Sequence, residues 1–373
     1  MLGSKVFDAE SAMENEREKE VIALNETKAG TKGLFDAGIQ KIPNIFIRSP
    51  EDIAEDLKRG RSCLQVPVID LSGLVDVVDQ RRVEVVGQLR RALEEWGIFQ
   101  VVNHGVPPSV LDGMLAGIGQ FHEQDVEMKK DLYSCDVKRK VRYSSNTELY
   151  YKAGAACWRD TLSISLQLTE NVQPEELPTA CRSTTVEFIK HATKLGEDLF
   201  RLLAEALGLE QDHLVGLDCA KGRQILCHYY PPCPEPELTL GANKHTDTSF
   251  ISIVLQDQSG GLQALHNNKW VDVHPIPGAL IVNLGDFFQI ISNGKFKTVE
   301  HRVLSSQAGR PRISVACFFM GRIEPPTIYS PIHELISELN PLQYKEFTVE
   351  DYLVKFVARK RGKPVIHQFE LNL

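Results

Sequence analysis

Between residues 223 and 320 the chain is cut into short, mostly apolar runs at close intervals: Gln224 to Tyr230, Phe250 to Gln256, Leu262 to His266, Trp270 to Val273, Ala279 to Asn283, Thr298 to Leu304 and Ile313 to Phe319. Each is bounded by turn chemistry. Gly260-Gly261, Asn267-Asn268, Pro277-Gly278 and Asn293-Gly294 tolerate a positive φ or fix φ, as tight reversals demand. Seven strands so spaced, with no helical pattern between them, predict an antiparallel sandwich or barrel and argue against a parallel βαβ sheet.

The remainder of the chain reads differently. Residues 1–30 carry seven acidic side chains and few aromatics, which predicts a flexible acidic leader without a core of its own. Val66 to Leu71 predicts a buried strand, and Val77 to Trp96 a helix with Val85, Val86, Leu89, Leu93 and Trp96 inside, stopped by Gly97. Ile98 to Val102 predicts a strand ending in the turn Asn103-His104-Gly105, with a helix starting at Pro107. Ser183 to Leu207 predicts a second amphipathic helix, with Val186, Ile189, Leu199, Leu203 and Ala206 inside and Gly208 at its end. Helical character returns from His333 to Arg361. The expected division is a leader (1–30), a helix-rich N-terminal region (31–215), a β-rich core (216–325) and a C-terminal helical segment (326–373).

Composition narrows the class. With 42 basic and 50 acidic side chains the net charge is −8, which argues against nucleic acid as a partner, because duplex binding draws on phosphate neutralisation. The basic runs Lys138 to Arg142 and Arg359 to Lys363 read as solvated loop and tail. Eight cysteines without a CxxC pair suggest reduced thiols and neither a zinc ribbon nor a disulfide framework. A densely charged N-terminus and the lack of any 18-residue apolar window predict a cytoplasmic protein without a membrane span, acting on a small molecule, and a monomer.

Three candidate metal ligands fall in the β-rich part: His245 and Asp247, two residues apart, and His301. On a strand, residues i and i+2 share a face, so His245 and Asp247 can converge on one ion. Two imidazoles and a carboxylate make the facial triad of non-haem Fe(II) oxygenases, which leaves positions open for cosubstrate and oxygen. His-x-acid alone is weak, since about 1.5 occurrences are expected by chance in a chain of this composition. Arg312 and Ser314, eleven and thirteen residues past His301, strengthen it: they share one strand face and form a natural clamp for a carboxylate. A second Arg-x-Ser at Arg142 to Ser144 is expected outside the barrel. Taken singly, Arg312 is equally read as paired with a structural acid, and each histidine as a core residue.

The combination of His228-Tyr229-Tyr230-Pro231-Pro232-Cys233-Pro234, His245-Thr246-Asp247, Asn283-Leu284-Gly285-Asp286, Ile291-Ser292-Asn293-Gly294, His301-Arg302 and Arg312-Ile313-Ser314 resembles the plant 2-oxoglutarate- and Fe(II)-dependent dioxygenases. Val66 to Leu71, Trp96 to Gly105 and Trp158-Arg159-Asp160-Thr161 agree in order, and the likeness spans residues 30–365. Lys28-Ala29-Gly30, Gly33 to Gly38 and Ile42-Pro43 are similar to the group of aminocyclopropane-carboxylate oxidase homologues, which includes a desacetoxyvindoline 4-hydroxylase.

The resemblance implies a mixed α and β protein: a double-stranded β-helix (jelly roll) core with a helix-rich N-terminal half and a C-terminal helix. It implies Fe(II) on His245, Asp247 and His301; 2-oxoglutarate on Arg312, Ser314 and Tyr230; O2 as oxidant; and ascorbate as reductant. His228 stands where many members carry Asn, which leaves its role open. Phe318 matches a substrate-pocket position, a core aromatic being the alternative, and Thr248 is a second pocket candidate. The implied activity is hydroxylation of a plant specialised metabolite with release of succinate and CO2. The alternatives are an ascorbate-using oxidase of the aminocyclopropane-carboxylate type and a catalytically silent metal-binding module.

Overall fold

The computed structural model describes residues 16–74, 80–145, 154–166, 172–306, 309–358 and 364–371. In chain order its elements are helices over 16–27 (α1), Gly30–Asp36 (α2) and Pro50–Arg59 (α3); strands Arg61–Ser62 (β1) and Val68–Asp70 (β2); helix Gln80–Glu95 (α4); strand Ile98–Val102 (β3); and helices Pro108–Glu123 (α5) and Val126–Lys129 (α6). Next come strands Val141–Ser144 (β4) and Asp160–Ser165 (β5), then helices Arg182–Leu207 (α7) and His213–Gly216 (α8). The β-rich part contains Arg223–Tyr230 (β6), Leu240–His245 (β7), Ile251–Gln256 (β8), Leu262–His266 (β9), Lys269–Asp272 (β10), Leu280–Leu284 (β11), helix Asp286–Ile291 (α9), His301–Leu304 (β12) and Arg312–Phe319 (β13), with helix Val349–Ala358 (α10) behind them.

These strands form two sheets. Five run in the order β1-β10-β9-β12-β7, and eight in the order β2-β3-β11-β8-β13-β6-β5-β4. A cluster of Val66, Ile98, Tyr230, Ala242, Leu262, Ala264, Val271, Ile281 and Val303 draws on both sheets, so they pack face to face. The other face of the larger sheet buries Phe99, Val101, Leu162, Ile164, Ile225 and Phe319 against α4, α5 and α7 through Leu89, Leu93, Met114, Phe188, Leu199 and Leu203. This is the expected jelly roll with a helical backing. Strands β6 to β13 pair antiparallel with one another; in each parallel pair, β2 with β3 and β1 with β10, at least one strand comes from the N-terminal half.

The structure corrects several expectations. Strand β7 is not among the seven expected runs: Gly-Ala-Asn-Lys, leading up to His245, contains no β-branched residue, and the strand ends at His245 instead of continuing to Asp247. Helix α9 interrupts a stretch expected to be all strand and turn. On α7 the buried stripe runs through Thr185, Phe188, Ala192, Leu195, Leu199 and Leu203, one residue away from Val186, which is 40% exposed. Helix α5 starts at Pro108, with Pro107 as its N-cap. Among the described residues, helical structure from His333 onward is confined to α10 and single 3-10 turns at His333–Leu335 and Val365–Gln368. Arg142 and Ser144 lie on β4, inside the same sheet as Arg312, and not outside the barrel. The expected helix start at Val77 and the basic run from 359 to 363 lie outside the described residues. Among the described residues no helix is long and apolar enough to cross a membrane.

In the leader, Leu24 of α1 packs with Ile42, Ile45, Phe46 and Trp158. The Lys28-Ala29-Gly30 landmark also has a physical reason. The Asp160 carboxylate is fully buried and accepts the backbone N–H groups of Thr31 (2.7 Å) and Lys32 (2.8 Å) and the Tyr143 hydroxyl (3.2 Å). Gly30 makes this possible with φ +69°, and a Cβ there would sit 2.5 Å from Asp160 Oδ1 and 2.6 Å from the Tyr143 hydroxyl. Gly30→Ala combines left-handed strain with that clash. We expect it to cost about 2 kcal/mol or more, read as a lowered denaturation midpoint.

Candidate metal centre

His245 ends β7 and His301 begins β12, and the two residues pair directly across the ladder. Asp247 lies two residues beyond the end of β7, in the loop leading to β8, so strand alternation is not what aims it. The loop is pinned instead. Asp247 Oδ2 accepts from Ser252 Oγ (2.6 Å) and Asn283 Nδ2 (2.7 Å), and its carbonyl accepts the Asp286 N–H (2.8 Å). Gly285 permits the approach, since a Cβ there would stand 2.7 Å from the Asp247 carbonyl oxygen and 2.2 Å from that of Ser249. Thr246 and Tyr352 both donate to Asp286, which ties the loop to α10.

With Oδ2 held, Oδ1 faces His245 Nε2 and His301 Nε2, each at 3.5 Å. The imidazole Nδ1 atoms bond to main-chain carbonyls two residues back, His245 to Asn243 (2.7 Å) and His301 to Val299 (3.1 Å). A carbonyl only accepts, so Nδ1 carries the hydrogen and Nε2 presents its lone pair. One ligand atom from each of the three residues lies within 4.8 Å of the others. The donor set, with oriented imidazoles and a braced carboxylate, fits a non-haem Fe(II) ion.

Electrostatics agree. Burial pushes the Asp247 carboxyl up, but His301, His245 and Asn283 more than offset it and hold it well below the usual carboxylate range. Burial, then the charge of His301, pushes His245 down to about 4. For His301 burial also pulls downward, but the Asp247 charge prevails and raises it above the ordinary 6.5.

A second feature lies on the larger sheet. Arg312 is 2% exposed, yet its guanidinium meets only neutral acceptors: Gly260 O (2.6 Å), Ser314 Oγ (3.0 Å) and Gln256 Oε1 (3.0 Å). It lies over the Tyr230 ring, 4.8 Å from its centre, and Tyr230 is its cross-strand partner. The Tyr230 hydroxyl is 3.5 Å from Ser314 Oγ. Among the described residues Arg312 has no acidic partner, so the structural-acid alternative is not what is found.

His228 is the cross-strand neighbour of both Ser314 and Thr161, and its Nδ1 shares a hydrogen with Thr161 Oγ1 at 3.0 Å. Burial and the charges of Arg159, Arg312 and His245 push it well down, so it is neutral. Phe318 lies half-buried on that same face, one strand from Ser252. Thr248 is half-buried beside Asp247. Sequence reasoning missed Ser252, Gln256 and the carboxylate-holding role of Asn283, because a buried Ser, Gln or Asn shows no spacing that distinguishes it from a turn residue.

Residues 221–321 match the 2OG-Fe(II) oxygenase superfamily model, and residues 66–182 match the model described as non-haem dioxygenase in morphine synthesis N-terminal. The chain is 49% identical over 347 residues to 1-aminocyclopropane-1-carboxylate oxidase homolog 11 of Arabidopsis thaliana, covering 92% of this chain and 94% of that protein. It is 46% identical over 375 residues to deacetoxyvindoline 4-hydroxylase of Catharanthus roseus, covering 98% and 92%. A crystal structure of JOX2 in complex with 2OG, Fe and JA superposes with a TM-score of 0.77 at 28% identity, over 92% of this chain and 97% of that one.

The raised His301 sets the expected pH behaviour of metal binding. Fe(II) must displace the proton that Asp247 stabilises on His301, so affinity should fall about tenfold per unit as pH drops below that residue's pKa. A second proton, on His245, should compete only below about 4. Anaerobic Fe(II) titrations down to about pH 5 should show affinity falling toward a limiting slope of one proton, and a flat profile would remove the triad.

Proposed function

Because the chain belongs to the 2OG-Fe(II) oxygenase superfamily and is a 2-oxoglutarate-dependent dioxygenase, we propose that it holds Fe(II) with His245, Asp247 and His301, anchors 2-oxoglutarate with Arg312, Ser314 and Tyr230, and hydroxylates an oxygen-bearing plant specialised metabolite. The observation that carries the site assignment is Arg312. A guanidinium this deeply buried without a counter-charge is costly unless an anion completes it. Its planar fork, with two hydroxyls beside it, suits the distal carboxylate of a dicarboxylic acid.

The bound pair supplies oxidation of a C–H bond by O2, with 2-oxoglutarate leaving as succinate and CO2 and ascorbate serving as reductant. The protein's own residues supply orientation. The carbonyls of Asn243 and Val299 hold both imidazoles with Nε2 inward, and Ser252 and Asn283 leave Asp247 one free oxygen. Neutral His228 adds a polar edge beside Ser314 without a competing charge. In this reading the catalytic unit is residues 216–325, residues 31–215 are the N-terminal region, 326–373 the C-terminal segment and 1–30 the leader.

The substrate side rests on ladder register. Arg142, Ser144, Thr161 and Ser163 lie on the face of the larger sheet that also carries His228, Ser314 and Ser252. All four are buried, whereas Val141, Tyr143, Leu162 and Ile164 on the opposite face belong to the helical core. So polar a wall favours a substrate bearing hydroxyl, carbonyl or carboxyl groups, with Phe318 and Thr248 flanking it nearer the metal. Hydroxylation as the outcome is supported by the 46% identity to a 4-hydroxylase.

Succinate release from the Fe(II) protein, measured across a panel of oxygenated plant metabolites, tests the activity. His245→Ala, Asp247→Ala and His301→Ala should each abolish it and keep the fold, because an open catalytic site adds less to folding than a closed structural one. Arg312→Ala should weaken 2-oxoglutarate binding by about two to three decades, since truncating one member of a buried charged pair costs about 3–5 kcal/mol. Arg312→Lys should restore part of it, and Fe(II) affinity should stay close to wild type. Equal 2-oxoglutarate dissociation constants in anaerobic titrations would reject the anchor and favour the ascorbate-using alternative.

A further inference from the structure

The ladder that joins the two histidine-bearing strands to each other is irregular, although β12 keeps unbroken register with β9 on its other side. Pairing between β12 and β7 slips in register between His301 and Val303, and again between Val303 and Leu304. Immediately behind the histidines, on the outer face of this sheet, lies α3, and none of its residues is buried. Its attachment is ionic. Asp56 binds Arg302 Nη1 at 2.5 Å and also accepts from Arg48. Glu55 binds Lys244 Nζ at 3.1 Å and Arg59 Nη2 at 2.7 Å, while Arg59 Nη1 reaches Asn268 Oδ1 at 2.9 Å in the β9–β10 turn.

Lys244 precedes His245, and Arg302 follows His301. Because strand residues alternate, each cation points outward when its neighbouring histidine points inward. Adjacent carboxylates on one helix therefore grip both metal-bearing strands, Glu55 on β7 and Asp56 on β12. The second grip is the tighter. Arg302 is 6% exposed, stacks on the Trp270 ring at 4.0 Å and donates through Nε to Gln263 Oε1 at 2.8 Å. A pair this buried adds little net stability, because desolvation offsets most of the attraction. It does fix geometry.

We propose that α3 is an external brace which sets the separation of His245 and His301, with Asp56 and Glu55 as positioning residues for the metal site. This rests on the assignment of those histidines as Fe(II) ligands. The brace acts on the smaller sheet alone, whereas Arg312 lies on the larger one, so disturbing it should change Fe(II) affinity and spare the cosubstrate anchor.

The test uses the full-length, metal-stripped protein in anaerobic Fe(II) titrations, 2-oxoglutarate titrations at saturating Fe(II), and thermal melts. Asp56→Asn should weaken Fe(II) binding about tenfold, as outer-sphere partners of metal ligands do, and Glu55→Gln should weaken it less. Both should leave 2-oxoglutarate affinity within twofold of wild type. Asp56→Glu, which keeps the charge, should recover part of the Fe(II) affinity. Arg82→Gln cuts the ion pair to Glu205 between α4 and α7 and serves as control: a lowered melting temperature with unchanged Fe(II) affinity. Wild-type Fe(II) affinity in Asp56→Asn would overturn the brace, as would equal losses of Fe(II) and 2-oxoglutarate affinity. Should Asp56→Asn fail to fold, an unchanged Fe(II) constant in the half-exposed Glu55→Gln would overturn it. His301→Ala separates the two levels: if it keeps wild-type Fe(II) affinity, the ligand assignment falls and takes the brace with it, whereas a loss there beside an unaffected Asp56→Asn removes only the brace.

Discussion

Asp247 stays ionised although it is almost fully buried, and much of the site is arranged to allow this. One oxygen is satisfied by a serine from β8 and an amide from β11, and the other is left to two imidazoles. A buried carboxylate without such partners would take up a proton and lose its value as a ligand. Satisfying it requires a loop from the smaller sheet to reach strands of the larger one, so the metal site doubles as a tie between the sheets. Gly285 is what lets the loop come close enough.

Arg312 applies the opposite logic. Its neutral partners satisfy the guanidinium's hydrogens without neutralising its charge, so the charge remains available to a ligand. Neighbouring groups avoid spending it: His228 is held neutral, and Gln256 contributes an amide where an acid would form a permanent ion pair. The cost falls on stability in the empty protein and is offset when an anion binds. Two buried ionic features of opposite sign can coexist in one barrel because they share no hydrogen-bond partner.

Legibility in the sequence followed the physics of each element. Strands with aliphatic runs, such as β8, β11 and β13, stand out because one face or both are buried and the sequence must say so. Strand β7 did not, since its job is to carry ligands and its backbone is protected by neighbours on one side only. His245, His301, Arg312 and Ser314 could be read because their residue types are rare and their spacing ordered. For Asp247 the structure replaces the reason the sequence offers: strand alternation does not extend to it, and tertiary bonds aim it. Arg142 and Ser144 read as lying outside the barrel because the whole of α7 separates them in sequence from the β-rich part, and only sheet order reveals that β4 and β5 extend it.

That sheet order separates two kinds of change. On β4 and β5 the outward side chains belong to the helical core, while the inward ones lie at the far edge from β8 and β11, which hold Asp247. Under the proposed reading, a substitution at Arg142, Ser144 or Ser163 alters the polar wall without replacing a residue bonded to His245, Asp247, His301 or Arg312. Sites that share no partners respond almost additively. Such an edge can accommodate new substrates while the iron chemistry remains fixed, so high overall identity to a hydroxylase of known name is compatible with a different substrate.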